Sequence, residues 1–489
     1  MELTNLINNV SAIQVTGEIQ RKDVSGIFYD SRKVIKNSIF VAIKGYKTDG
    51  HLHILDAINK GAIGIILENN NAVPDDIFTH NKIAKILVQN SRAALADISG
   101  SFYKKPSEIL KLIGITGTNG KTTTTYFIKN ILEAAGEKVG LIGTIANYIG
   151  SRELKSSLTT PEANDLNEML YEMVREKCSY AVMEVSSHSL SLKRVYGLHF
   201  SSAVFTNISS DHLDFHLNFE NYFLAKKKLF DSLASGSFGI INSDDEWGFE
   251  IVKDSRANLF SYGTSTKSDF AIKDIKYDLN GTSFTINHKN NFWPVTTSLI
   301  GTFNAYNACS AFAASYLHGV AEEKILEGIK TTKQVPGRFE VIKGKRKKVI
   351  IDYSHTADSL VKALTAIHAI VKNEVPVYTV FGCGGDRDKT KRPVMGKIAA
   401  DMSYKVIITS DNPRFEDPYA VINDIKTGIT KKNFTIIENR EEAIKSAIQN
   451  SEEDAVILIA GKGHENYQEI KGVRTHFSDK EIAGKYLIE

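Results

Sequence analysis

Seven times along the 489 residues of this chain, a short run of β-branched and apolar residues stops at a small polar segment: TGTNGKTTT, EVSSH, TNISSDH, SHTAD, GCGGDRD, SDNPR and GKGHE. A strand covered on both faces reads as a continuous apolar run, and open α/β sheets bind ligands beyond the carboxyl ends of such strands. The pattern predicts parallel sheets with crossover helices. So many polar strand ends predict one large site in a cleft between domains.

The length suggests about three domains. Residues 1–106 mix short strands (SGIFYD, SIFVAIKG, AIGIILE, AKILVQ) with helical stretches such as HILDAINKG, and the pattern breaks at YKKPSE. Residues 107–335 open with the apolar run Leu110–Ile115, continue through KVGLIG, SYAVMEV and SSAVFTNI, and close at QVPGRFE. Residues 336–489 alternate strand and helix regularly, with strands KVIIDY, VYTVFG, KVIITS, FTIIEN and AVILIAG. The basic run Lys343–Lys348 reads as a solvated loop or hairpin between two strands.

Composition excludes several classes. There are 60 Lys+Arg against 57 Asp+Glu, a balance too even for nucleic acid as the main partner. Three widely spaced cysteines give neither a disulfide framework nor metal-ligand spacing. No window is long and apolar enough for a membrane helix, and the N-terminus has no signal-peptide pattern. A cytoplasmic protein without membrane insertion is expected.

The segment from Gly114 to Thr122 lies between a strand and a helix that starts near Lys121. Glycines there turn backbone N–H groups toward phosphate, and the helix N-terminus adds its positive dipole end. Gly117, Thr118, Asn119, Gly120, Lys121, Thr122 and Thr123 are therefore candidate ATP contacts, although five residues rather than four separate Gly114 from Gly120. Mg²⁺ takes hard oxygen ligands, and one or two carboxylates suffice. Thr122 and Glu184 are the candidates, with His212 for a second ion. Asp211, Asp214 and His216 compete for any role beside it.

Taken together, the segments GTNGKTTT, TTPEA, EVSSHSL, TNISSDHLDFH, YFLAKKKLF, NAYN, PGRFE, DYSHTADSL, GCGGDRDKTKRP, DNPR and GKGHENYQ resemble the Mur ligase family, in order and over nearly the whole chain. Within it, the chain looks most like the members that add the third residue of the peptidoglycan stem peptide. The resemblance implies three domains: an N-terminal α/β domain for the uridine nucleotide, a central P-loop ATPase with a mostly parallel sheet, and a C-terminal Rossmann-like domain for the amino acid. It implies a substrate, UDP-N-acetylmuramoyl-L-alanyl-D-glutamate, touched by Ser31, Thr159, Thr160, Ser186 and Arg194. Asn304, Arg338, Asp352 and His355 would hold ATP, and a monomer is expected. One departure stands out: Ser354 and Ala357 replace the Ala and Pro usual in this loop.

The family's lysine at Lys226 reacts with CO₂ to give a carbamate that holds Mg²⁺. On the bare sequence Lys226, Lys227 and Lys228 read as a solvated helix face. Arg414 of DNPR offers a planar fork for a carboxylate, which matches the distal carboxylate of meso-2,6-diaminopimelate and nothing on lysine. Arg387 is a second candidate for it, while Asp411, Asn412, Pro413, Gly461 and Glu465 would position the rest of the amino acid. The resemblance thus implies an ATP-dependent diaminopimelate-adding ligase working through an acyl phosphate, with catalytic roles for Lys121, Lys226, Glu184 and His212. The competing readings are a lysine-adding form, another family ligase such as a folylpolyglutamate synthase, or a nucleotide-driven switch without ligation.

Overall fold

The computed structural model describes residues 1–488 apart from Arg21, Tyr46, Lys47, Arg346 and Asn373. Three α/β sheets follow one another along the chain. The first has five strands in the spatial order Ala12–Thr16, Ala84–Val88, Ala62–Leu67, Ser38–Val41, Gly26–Phe28, and only the first pair is antiparallel. The edge strand Ala12–Thr16 is mostly exposed, so it carries no apolar stripe that a sequence pattern would register.

The central sheet has eleven strands. Its strand Tyr180–Glu184 shows why it is covered on both sides. Tyr180 and Val182 pack into one core with Phe127, Ile128 and Ile131 of the helix Lys121–Ala134, while Ala181 and Met183 pack into the other with Leu166, Leu170 and Met173 of the helix Ala163–Arg175. Successive strand side chains point to opposite faces, so a strand covered on both sides reads as a continuous apolar run, here until Glu184 at its carboxyl end. The expected mostly parallel sheet is present across the seven inner strands. Both edges turn antiparallel, through Ala146–Ile149 and Arg152–Lys155 on one side and Gly281–His288 and Asn291–Thr297 on the other. On the second edge burial alternates, as it does where one sheet face meets water.

The third sheet runs Glu340–Lys343, Lys348–Asp352, Val456–Ala460, Val377–Phe381, Lys405–Ile408, Phe434–Ile436, antiparallel only in its first pair. That pair is the hairpin expected around the basic run; Arg346 of the run lies outside the described residues. Helices cover both faces, in two separate apolar cores.

Register places the site. Glu184 lies opposite Ile115, and Phe205 opposite Thr116, so the strands before the phosphate loop, EVSSH and TNISSDH end side by side. In the third sheet Ala460 lies opposite both Asp352 and Phe381, which brings together the segments that follow.

Candidate active site

The phosphate loop is built by close backbone approach. Gly117 has φ 149°, and a Cβ there would sit 1.9 Å from Thr206 Oγ1, so only glycine fits. Thr206 Oγ1 donates to Asn119 O at 2.6 Å, and Asn119 N donates to Asn207 Oδ1 at 3.0 Å. Gly120 caps the helix that starts at Lys121. Lys121 Nζ folds back over the loop and donates to the carbonyls of Gly117 and Thr118, both at 2.9 Å. Burial lowers its pKa, against the pull of Glu184 and Asp211.

Glu184 is 1% exposed. Its carboxylate accepts hydrogen bonds from Thr122 Oγ1 (3.0 Å), Thr144 N (2.8 Å) and Thr144 Oγ1 (3.0 Å), all of them neutral donors. Arg338 Nη2, from the segment that enters the third sheet, donates to Thr122 Oγ1 at 3.1 Å. These groups line a cavity of about 170 Å³ together with Thr159, Ser186, Asp211, His212, Lys226 and His355. Five of the expected side chains, Lys121, Thr122, Glu184, His212 and Lys226, are therefore gathered in one place.

Lys226 corrects the bare-sequence reading of its helix. In Phe219–Asp231, Tyr222, Lys226 and Leu229 share the buried face, and Lys226 is 1% exposed. Its Nζ donates to Gly117 O at 2.8 Å and lies 4.6 Å from the Tyr222 ring centroid. Burial, then the charge of Lys121, push its pKa well below the ordinary lysine range. Lys227 is buried too, through ion pairs to Asp231 (2.5 Å) and Asp254 (2.6 Å), and only Lys228 faces solvent.

His212 adopts a left-handed backbone, φ 55°. Its Nε2 lies 3.4 Å from Asp211 Oδ2, and the same carboxylate oxygen is 3.9 Å from His355 Nε2. Burial holds His212 down at about 3 despite Asp211, with His188, His355 and Lys121 adding to the effect. Asp211 goes down to about 2: burial opposes this, but His212 and His355 outweigh it. Among the described residues no three or more His, Cys, Asp or Glu side chains cluster as a metal site.

A second cavity of about 460 Å³ adjoins the loop. Asn304, Arg338 and Asp352 line it together with the aromatic Tyr277, Phe303, Tyr306 and Tyr353. Asp352 is tied to Phe339 N (2.7 Å) and to Ser354 Oγ. His355 belongs to the smaller cavity instead.

Thr160 Oγ1 donates to Glu184 O at 2.8 Å, and Arg194 Nη1 donates to Thr160 O at 3.1 Å. Arg194 also pairs with Glu162 at 2.8 Å. Thr159, Thr160, Ser186 and Arg194 are thus brought together. Ser31 sits apart in the first domain, buried on the turn Ser31–Lys33. That domain docks on the helix Ala163–Arg175 through Tyr29 Oη, which donates to Asp165 at 2.6 Å.

In the third domain the loops GCGGDRD and DNPR are laced together: Gly385 N donates to Asn412 O at 2.9 Å and Arg414 Nη1 to Gly385 O at 2.7 Å. Pro413 is buried between them, and Arg387 is exposed. Asn412 Nδ2 donates to Glu465 Oε2 at 2.7 Å. Gly461 has φ 116°, and a Cβ there would lie 2.6 Å from Asp411 Oδ2.

Sequence reasoning passed over Lys462, which is fully buried among Asp411, Asn412 and Glu465. It also passed over Thr144, whose signal was its place just beyond the strand Val139–Ile142, and Asp358, whose carboxylate accepts from Asn119 Nδ2 at 2.9 Å across the cleft.

Family models match the chain in three consecutive pieces: Mur ligase family, catalytic domain, over residues 23–103; Mur ligase middle domain over 115–315; and Mur ligase, glutamate ligase domain over 337–463. The chain is 43% identical over 492 residues to UDP-N-acetylmuramoyl-L-alanyl-D-glutamate--2,6-diaminopimelate ligase 1 of Clostridium acetobutylicum, covering 100% of both. A solved structure of a UDP-N-acetylmuramoyl-L-alanyl-D-glutamate--2,6-diaminopimelate ligase is 31% identical, with a TM-score of 0.70, over 100% of this chain and 98% of that one. The MurF ligase of Thermotoga maritima, solved in complex with ADP, shares the fold at 19% identity and a TM-score of 0.65, over 94% of this chain and 97% of that one.

Proposed function

The chain belongs to the Mur ligase family, and from that premise we propose that it is an ATP-dependent ligase joining meso-2,6-diaminopimelate to the D-glutamate carboxylate of UDP-N-acetylmuramoyl-L-alanyl-D-glutamate. One observation carries the reading. A phosphate-loop cavity and a separate cluster of carboxylates, amide and arginine, built from DNPR and GKGHE, stand in one chain and meet through Arg338, Tyr353 and His464. A nucleotide switch needs the first and has no use for the second.

A carboxylate is a poor electrophile. Its oxygen attacks the γ-phosphorus of ATP, an O–P bond forms, the bond to the β-phosphate oxygen breaks and ADP leaves. The amine nitrogen then attacks the acyl carbon, the C–O bond to phosphate breaks, and the nitrogen gives up a proton. Positioning and neutralisation of negative charge do most of the work. Lys121, the loop N–H groups and Arg338 supply that neutralisation, and Asn304, Asp352 and the aromatic walls of the larger cavity hold the nucleoside. Thr159, Thr160, Ser186 and Arg194 hold the sugar-peptide near Glu184, and Ser31 holds the uridine end.

The donor set fits Mg²⁺. Glu184 is buried with neutral partners only, beside the Thr122 hydroxyl, and oxygen ligands of this kind suit a cation that shares its coordination with phosphates and water. His212, and Lys226 as a carbamate, complete a second position. When bound, the ions offset charge on the phosphates. Burial favours the neutral Lys226 amine that carbamate formation requires. Arg414 and Arg387 select the distal carboxylate, and Asp411, Asn412, Pro413, Gly461 and Glu465 shape the other end. The domain limits fall near residues 106 and 335, and the protein acts in the cytoplasm as a monomer.

Phosphate release tests the assignment. It should require ATP, the UDP-linked dipeptide and the diamino acid together; equal release with the amine omitted would leave a nucleotide hydrolase or switch.

A further inference from the structure

Lys462 lies between two glycines in GKGHE, where a lysine would ordinarily reach solvent. Here it is fully buried. Its Nζ donates to Asn412 Oδ1 at 3.1 Å and lies 3.4 Å from Glu465 Oε2 and 3.7 Å from Asp411 Oδ1. The rings of Tyr467 and Phe477 stand 5.4 and 6.0 Å away. Asn412 Oδ1 also accepts from Glu469 N at 2.9 Å, and Asn412 Nδ2 donates to Glu465. One ammonium therefore faces two carboxylates and the amide that donates to one of them. Their sum leaves one unbalanced negative charge, which suits one substrate ammonium.

We propose that Lys462 is a positioning residue for the amino-acid substrate: by tying Asn412 and Glu465 and facing Asp411, it holds the two carboxylates at a fixed spacing that accepts the substrate's ammonium group. Lys462 acts through its neighbours rather than on the substrate. It also shares Asn412 with the DNPR loop, so it couples the ammonium end of the site to the backbone that carries Arg414. The charges facing Glu465 make this demanding. Burial and Asp411 raise its pKa, while Lys462 and the Asn412 hydrogen bond lower it. Arg440 and Arg474 stand on its positive side, and the hydroxyls of Tyr353 and Tyr467 face it as well. Without Lys462 the Glu465 carboxylate would lose the cation beside it and take up a proton more readily.

The inference rests on the ligase reading. Its test uses whichever amino acid the wild-type protein ligates, so a wrong choice of diamino acid leaves the test standing, whereas no ligation with any amino acid removes the reading beneath it. Lys462→Met should raise the KM for the amino acid at least about thirtyfold, with the KM for ATP little changed. The acid limb of kcat/KM for the amino acid should move to higher pH, because carboxylates that lose a cation protonate sooner. Lys462→Arg should return the limb toward its wild-type position. In Glu465→Gln, which keeps the side chain's size, the limb should shift even if Lys462→Met does not fold. A rise in KM shared equally by ATP and the amino acid, or an unmoved acid limb in folded Lys462→Met or Glu465→Gln, would overturn the proposal.

Discussion

Lys121 and Lys226 both donate to a single oxygen, the Gly117 carbonyl, at 2.9 and 2.8 Å. Two ammonium groups this close repel, with Lys226 fully and Lys121 partly buried, and desolvation already disfavours charge on each, so the pair favours loss of a proton from one of them. Lys226, with the stronger depression, is the one that loses a proton more readily, as the proposed carbamate requires. Lys226→Ala should lower turnover about a hundredfold or more, and an added small carboxylate such as acetate should restore part of it. Lys227→Ala should behave differently. Its partners Asp231 and Asp254 are 40% and 71% exposed, so the loss should be of order 1 kcal/mol in stability with each KM unchanged. Equal loss of turnover in both variants, read by steady-state kinetics beside a denaturant titration, would argue for a general charge effect. At this scale the sequence speaks unevenly. GTNGKTTT declares its chemistry because glycine, lysine and threonine in fixed order between a strand and a helix have few other uses. Lys462 does not, because nothing local tells that its two carboxylate partners come from SDNPR and from three residues further on. Lys227 is likewise hidden, since Asp254 lies 27 residues away.

At the scale of elements, the parallel strands were legible as apolar runs and the polar ends as their loops. The antiparallel edge from Gly281 to Thr297 was not, because it alternates buried and exposed residues and has no polar motif to mark it. The helix Ala357–Val371 shows a local substitution at work. Ala357 is its first residue, where the family usually has proline, and Thr356 supplies the start through a reciprocal capping box with Ser359. Thr356 has φ −124° and ψ 158°, the extended conformation that a residue before proline requires. Ala357→Pro should therefore fit without strain and stabilise the protein by about 0.4–1 kcal/mol, chiefly by restricting the unfolded chain. Thermal melting should show a rise of about 1–4 °C, and a fall would mean that the cap and the ring compete for the same turn.

For the whole molecule, the central and third domains meet through an apolar contact, Ile300 and Phe303 against Phe339 and Val341, and through polar links across the cleft. Asp358 of the third domain accepts from Asn119 of the phosphate loop, Arg338 reaches Thr122, and His355 faces Asp211. These links join residues up to 239 positions apart, and no sequence pattern reveals them. Both halves of the proposed site were legible in the sequence as strand ends, but which ends face each other follows from how the domains pack. On the proposed reading, a phosphate loop in one domain and an amino-acid site in another serve one ligation, with Arg414 reading a distal carboxylate. The decisive experiment gives the wild-type protein ATP, UDP-N-acetylmuramoyl-L-alanyl-D-glutamate and either meso-diaminopimelate or L-lysine, and compares kcat/KM from the mass of the product. Recognition of an ion-paired carboxylate by Arg414 predicts a preference for meso-diaminopimelate of at least about thirtyfold; equal use of L-lysine would mean that Arg414 does not select the substrate.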